Sequence, residues 1–131
     1  MRILLAEDDF VTRKFMTNFL SKYGECDVTV DGMEAVDAFM MAMEDGEPYD
    51  LVSLDIMMPV MDGYQALVGI RNIEKARNIP EEKMAKVIMA TALNEEKNVK
   101  MAFDLGCTIY SGKPIDQERF EQALKKLGMI K

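Results

Sequence analysis

Four short stretches hold the residues that could do chemistry together. Asp55 follows the apolar run Leu51-Val52-Ser53-Leu54 and opens Ile56-Met57-Met58-Pro59-Val60-Met61-Asp62-Gly63. Glu7-Asp8-Asp9 follows the apolar run Ile3 to Ala6, Thr91-Ala92 follows Val87 to Ala90, and Ser111-Gly112-Lys113-Pro114 follows Cys107 to Tyr110. Carboxylates forced together repel one another, and a hard divalent cation relieves them; Mg²⁺ accepts one or two carboxylates plus phosphate oxygens. Lys113 offers a compact positive charge suited to phosphate oxygens, and Thr91 a hydroxyl donor. The set suits phosphoryl transfer, in which the protein mostly positions and neutralises and an Asp carboxylate can be the nucleophile that forms an aspartyl phosphate. Asp55, central in the sequence, is the candidate acceptor.

These residues cooperate only if the chain brings them to one place. Each apolar run is short and bounded by polar or turn residues, the signature of a buried strand. Pro59 lacks an N–H and pushes Met58 out of the helical region, so the third strand stops near Asp55 and Asp62-Gly63 reads as a turn. Val28-Thr29-Val30 supplies the second strand. Between the strands, apolar residues recur at helical spacing. Val11, Phe15 and Phe19 with Met16, Leu20 and Tyr23 mark helix one, stopped by Gly24; Val36, Phe39, Met40 and Met43 mark helix two, capped by Asp31 with Glu34 and ending near Asp45-Gly46. Leu67, Ile70 and Ile73 give helix three, fading at Glu74. Lys75 to Ala85 reads as a surface connection in which variation matters little. Asn94-Glu95-Glu96 caps helix four, which closes at Leu105-Gly106. Asp116 caps helix five, whose stripe is Phe120, Ala123, Leu124 and Leu127. Five strand-helix pairs in alternation imply a doubly wound α/β fold: a five-stranded parallel sheet with helices on both faces. Ligands bind such sheets at the carboxyl ends of the strands, the edge to which Glu7, Asp8, Asp55, Thr91 and Lys113 are delivered.

Composition narrows the function. The 131 residues suffice for one domain with a real core and are too few for two. With 16 basic against 23 acidic residues, the net charge of −7 opposes nucleic-acid binding. No apolar run is long enough for a membrane span or a signal peptide, so a cytoplasmic protein that binds no membrane is expected. Histidine is absent, which excludes His metal ligands, Ser-His-Asp triads and a phosphohistidine on this chain. Cys26 and Cys107 form no Cys-x-x-Cys pair and read as reduced, packed thiols.

Glu7-Asp8, the Asp55 to Gly63 stretch, Thr91-Ala92 and Lys113-Pro114, in this order at consecutive strand ends, resemble the receiver domain of two-component response regulators, and the similarity spans essentially the whole chain. The resemblance implies a flavodoxin-like sheet of order 2-1-3-4-5. It implies that Asp55 accepts a phosphoryl group from a sensor histidine kinase or a phosphotransfer protein. Glu7, Asp8, Asp55 and the carbonyl of Met57 would surround Mg²⁺, and Thr91, Ala92 and Lys113 would hold phosphoryl oxygens. It also implies a cis bond between Lys113 and Pro114, a switch in which Tyr110 turns inward as Thr91 moves, and tuning of the phosphoryl lifetime by Met57 and Leu93. Three acidic residues stand where the family pattern needs two. Glu7-Asp8 fits with Arg13 and Gly24 falling where the family's first helix places them, while Asp8-Asp9 is the alternative register.

Other readings fare less well. A phosphatase of the haloacid dehalogenase type resembles Asp-x-Asp, whereas Met57 stands two residues after Asp55. A flavodoxin needs a phosphate cradle after strand one, where Glu7-Asp8-Asp9 would repel phosphate. A pseudo-receiver would lack a required residue, and none is missing. The expectation is a stand-alone receiver over residues 1–131 without an output domain. It would not be a metabolic enzyme but a signalling switch that catalyses its own phosphorylation and dephosphorylation, and it would pass its state to a protein partner by the face of helix four, strand five and helix five or by phosphorelay.

Overall fold

Strand β1 (Arg2–Ala6) shows why its run is apolar throughout: Ile3 and Leu5 enter one buried cluster while Leu4 and Ala6 enter another on the opposite face. A parallel sheet covered on both sides demands such strands, and β3 (Leu51–Leu54) and all but the first residue of β4 (Lys86–Thr91) are buried in the same way. The strands run parallel in the order β2-β1-β3-β4-β5, with β2 (Glu25–Thr29) and β5 (Ile109–Gly112) at the edges. This is the expected 2-1-3-4-5 order. The computed structural model describes residues 1–92 and 96–131.

Helices α1 (Phe10–Leu20) and α5 (Gln117–Lys126) cover one face through Met16, Phe19, Leu20, Phe120 and Leu124. Helices α2 (Gly32–Glu44), α3 (Gly63–Ala76) and α4 (Glu96–Asp104) cover the other, where Phe39, Leu67, Ile70 and Ala102 meet the remaining strand side chains. Asp31 and Asp116 cap α2 and α5 as expected, accepting from the N–H groups of Glu34 and Arg119. The expected Asn94 cap of α4 lies outside the described residues. No helix among the described residues is long and apolar enough to cross a membrane.

Several boundaries differ from the sequence reading. Strand β2 begins at Glu25 rather than Val28, because an edge strand pairs on one side only and tolerates Glu25 and Asp27. Strand β5 begins at Ile109 rather than Cys107: the Cys107 N–H bonds the Ala102 carbonyl and closes α4, and the ladder with β4 starts only after Thr108. Asp62-Gly63 is the N-terminus of α3 and not a free turn. Asp62 accepts from the Gln65 N–H, and Gln65 accepts in return from the Asp62 N–H.

Helix α3 continues to Ala76 because Glu74, only 1% exposed, is held by Arg71 at 2.6 Å and by the Ala85 N–H at 2.7 Å. The segment from Lys75 to Ala85 is therefore tied to the core at Ala85, while residues 75–78 and 80–83 are exposed. Helix α1 buries Met16, Phe19 and Leu20 but leaves Val11 73% and Phe15 42% exposed. On α2, Met40 is likewise exposed, its place in the core taken by Ala35 and Ala42.

Candidate functional site

The sheet register decides what meets at its carboxyl edge. Ala6 pairs with Leu54 and the Asp55 N–H bonds the Ala6 carbonyl, so Glu7 and Asp55 leave adjacent strands side by side. Thr91 pairs with Gly112, and the Lys113 N–H bonds the Thr91 carbonyl at 2.7 Å. Gly63 N–H bonds the Ile56 carbonyl at 2.9 Å, and a Cβ on Gly63 would collide with the Asp55 carbonyl oxygen. Glycine is thus what lets α3 begin directly against the Asp55 loop. The Lys113-Pro114 peptide is cis, as the resemblance implies.

At this edge the ammonium of Lys113 bridges two buried carboxylates, 2.6 Å from Glu7 Oε1 and 2.9 Å from Asp55 Oδ2. One carboxylate oxygen from each of Glu7, Asp8 and Asp55 lies within 4.8 Å of the others. Asp9 takes a different part: it caps α1, accepting from the Thr12 N–H at 2.8 Å. The structure therefore gathers Glu7 and Asp8, not Asp9, beside Asp55.

The electrostatics follow from burial. Burial, with a hydrogen bond to Asp55, pushes the Glu7 carboxyl up to about 7 against the lowering pull of Lys113. Burial alone would lower Lys113; its bonds to Glu7 and Asp55 outweigh that and hold the ammonium above its usual range. Thr91 is fully buried and Ala92 exposed. Tyr110, half-buried on β5 against the α2–α4 side core, has its hydroxyl pushed up to about 12 by burial, with Tyr64, Cys107 and Asp55 adding. Met57 donates its N–H to Asp55 Oδ1 at 3.2 Å, while its side chain is 59% exposed. Leu93 lies outside the described residues.

At metal–oxygen distances of about 2.1 Å, adjacent ligands of an octahedral Mg²⁺ stand about 3 Å apart and opposite ones about 4.2 Å, so three hard oxygen donors within 4.8 Å of one another would suit that ion once drawn together around it. One feature of the edge escaped the sequence reading. Val11 and Phe15, expected in the core, instead line an apolar groove with Pro114 and Ile115 beside Lys113. Helical spacing gives no sign of it, since neighbours on one helix can share a buried face, as Phe19 and Leu20 do on α1.

The fold and site define a doubly wound α/β protein with a buried carboxylate–ammonium centre at its strand ends. Residues 3–125 match the response regulator receiver domain, and the chain belongs to that family. It is 36% identical over 120 residues to the chemotaxis protein CheY of Treponema pallidum, covering 90% of this chain and 76% of that protein. It is 33% identical to the probable transcriptional regulator ycf29 of Porphyra purpurea, covering 95% of this chain but only 55% of that protein. The chain spans 12% of a probable histidine kinase of Oryza sativa that it also matches. Among solved structures it is similar to CheY in the CheX-CheY-BeF3-Mg complex of Borrelia burgdorferi, with 30% identity, a TM-score of 0.82 and coverage of 100% of this chain and 90% of that one. It is also similar to the receiver domain of a sensor histidine kinase from Pseudomonas aeruginosa with magnesium coordinated in the active-site cleft, with 26% identity, a TM-score of 0.77 and coverage of 96% and 95%.

Proposed function

We propose that this chain is a phosphoryl-accepting switch in which Asp55 is the acceptor. The observation that carries the reading is the bridge from Lys113 to both Glu7 and Asp55, with Asp8 completing the acidic cluster. Glu7, Asp8, Asp55 and the Met57 carbonyl would hold Mg²⁺, which when bound neutralises carboxylate and phosphoryl charge. The magnesium recorded with the Borrelia burgdorferi and Pseudomonas aeruginosa relatives supports this assignment.

Asp55 Oδ2 attacks the phosphorus of the donor in line with the bond to the leaving nitrogen or oxygen. Lys113, held beside Asp55, turns from its carboxylate partners to a phosphoryl oxygen and sets an ammonium against the charge that develops. The hydroxyl of Thr91 and the backbone at Ala92 receive further phosphoryl oxygens. The chain thereby catalyses its own modification, and water later releases the group.

The donor, on this reading, is a phosphohistidine of a sensor kinase or a phosphotransfer protein in the cytoplasm. The exposed apolar groove of Val11, Phe15, Pro114 and Ile115 beside Lys113 supports a protein rather than a metabolite as donor. The output is a movement of Thr91 with Tyr110, which stands two residues from Gly112, the partner of Thr91 in the ladder. A downstream protein would read it on the face of α4, β5 and α5, where Met101 and Phe103 are exposed. Incubation with acetyl phosphate and Mg²⁺ tests the reading. One added phosphoryl group, abolished by chelation and by Asp55→Ala, is expected; labelling that survives Asp55→Ala overturns it.

A further inference from the structure

We propose that Arg13 is a positioning residue for the metal-binding loop, fixing the peptide groups of Glu7 and Asp8 so that the Asp8 carboxylate stays beside Asp55. The inference rests on the assignment of Mg²⁺ to Glu7, Asp8 and Asp55 made above.

The three carboxylates are not held alike. Lys113 grips Glu7 and Asp55 directly. Asp8 is exposed, and among the described residues no side-chain hydrogen bond or ion pair holds its carboxylate. Repulsion from its two neighbours would swing it outward. Its position therefore depends on the backbone between β1 and α1, whose N–H groups are held at Glu7 by the Thr29 carbonyl at 3.1 Å and at Asp9 by Glu7 Oε2 at 3.3 Å, and whose carbonyls are held by Arg13. Arg13 Nη1 donates to the carbonyl of Glu7 at 3.1 Å and to that of Asp8 at 3.2 Å.

The guanidinium is itself anchored. Its carbon stands 5.6 Å from the centroid of the Phe10 ring, and the Arg13 N–H bonds the Asp9 carbonyl at 2.8 Å within the first turn of α1. A rigid helix thus reaches back and holds the loop that precedes it. Such outer partners of metal ligands commonly contribute about tenfold or more in metal affinity.

The sign of the effect separates positioning from charge. Removing a cation near a metal site reduces repulsion of the incoming Mg²⁺, so a role through charge alone makes Arg13→Met bind Mg²⁺ more tightly. Loss of positioning makes it bind more weakly. Calorimetric Mg²⁺ titration of the full chain at fixed ionic strength is the test, with Arg13→Met, Arg13→Lys and Lys14→Met beside the parent. Arg13→Met is expected to weaken binding about tenfold, Arg13→Lys to fall between it and the parent, and Lys14→Met, which removes the same charge from the same helix, to bind as tightly as the parent or slightly more so.

Affinity in Arg13→Met equal to or above the parent overturns the inference, and so does an equal loss in Lys14→Met. If circular dichroism shows Arg13→Met unfolded, Arg13→Lys decides, and parental affinity there overturns it. A parent that binds no Mg²⁺ overturns the assignment of the site and this inference with it, whereas a binding parent with an indifferent Arg13→Met overturns the inference alone.

Discussion

Lys113 Nζ stands 2.9 Å from Asp55 Oδ2 although 58 residues separate them in sequence, and the cross-strand pairing of β1, β3, β4 and β5 is what closes that gap. If the contact serves phosphoryl transfer, Lys113→Ala should slow uptake from acetyl phosphate by about 10²-fold, the usual scale for losing one charge-stabilising donor. Mg²⁺ affinity should rise in the same variant, since a competing cation is gone. Uptake at the parental rate under saturating Mg²⁺ would show that Lys113 only balances charge in the resting protein.

The phosphorylated state is expected to decay slowly. Hydrolysis needs a water held in line with the phosphorus, and a polar side chain that orients it contributes roughly 10²- to 10⁴-fold in favourable cases. Met57 cannot orient water. Its side chain, 59% exposed, does not seal the site either, so the expectation rests on orientation rather than on exclusion. Decay followed by intact mass in Met57→Asn and Leu93→Glu should be faster than in the parent, and unchanged rates in both would remove these positions from control of the lifetime.

Both thiols should stay free and unreactive. Cys26 lies on edge strand β2 and Cys107 just before β5 at the opposite edge, four strand spacings or about 19 Å away, whereas a disulfide tolerates only about 7 Å between Cα atoms. Burial pushes each thiol up to about 11. A folded-state value above the ordinary thiol range means that the stabilising contribution is complete below about pH 9 and is lost as pH rises through 11. Slow reaction with a thiol reagent at pH 8, a thermal midpoint that falls above pH 9, and no intramolecular disulfide are expected; recovery of that disulfide would contradict the strand order.

The Arg71–Glu74 pair should matter to stability far from the site. Arg71 also donates to the carbonyls of Ala85 and Gly106, so Glu74→Ala leaves a largely buried guanidinium without its counter-charge. A loss of about 3 kcal/mol in chemical denaturation is expected. A loss below about 0.5 kcal/mol, the scale of a surface substitution, would mean that solvent reaches the pair.

The sheet and the five polar positions at its edge were legible because each is tied to a local signal. A short apolar run buried on both faces has few alternatives, and its end fixes where Asp55, Thr91 and Lys113 emerge. The choice between Glu7-Asp8 and Asp8-Asp9 was not legible from charge, since both pairs are acidic. It is resolved in space by Thr12, whose N–H takes Asp9 as the cap of α1. Helix α3 appeared to end at Glu74 because a charged residue reads as exposed, and only Arg71 and the Ala85 N–H, contacts set by tertiary packing, make its burial possible. Val11 and Phe15 appeared to be core because spacing tells which residues share a stripe and not how wide the covered part of that stripe is.

The central claim is that Asp55 itself carries the phosphoryl group, and chemical trapping tests it most directly. Borohydride reduces an acyl phosphate to an alcohol, so the chain treated with acetyl phosphate and Mg²⁺ and then reduced should yield, on peptide mass mapping, homoserine at position 55 and at no other acidic residue. Homoserine at position 8 or 62 instead, or no reducible acyl phosphate in a chain that has nonetheless gained phosphate, would contradict the account.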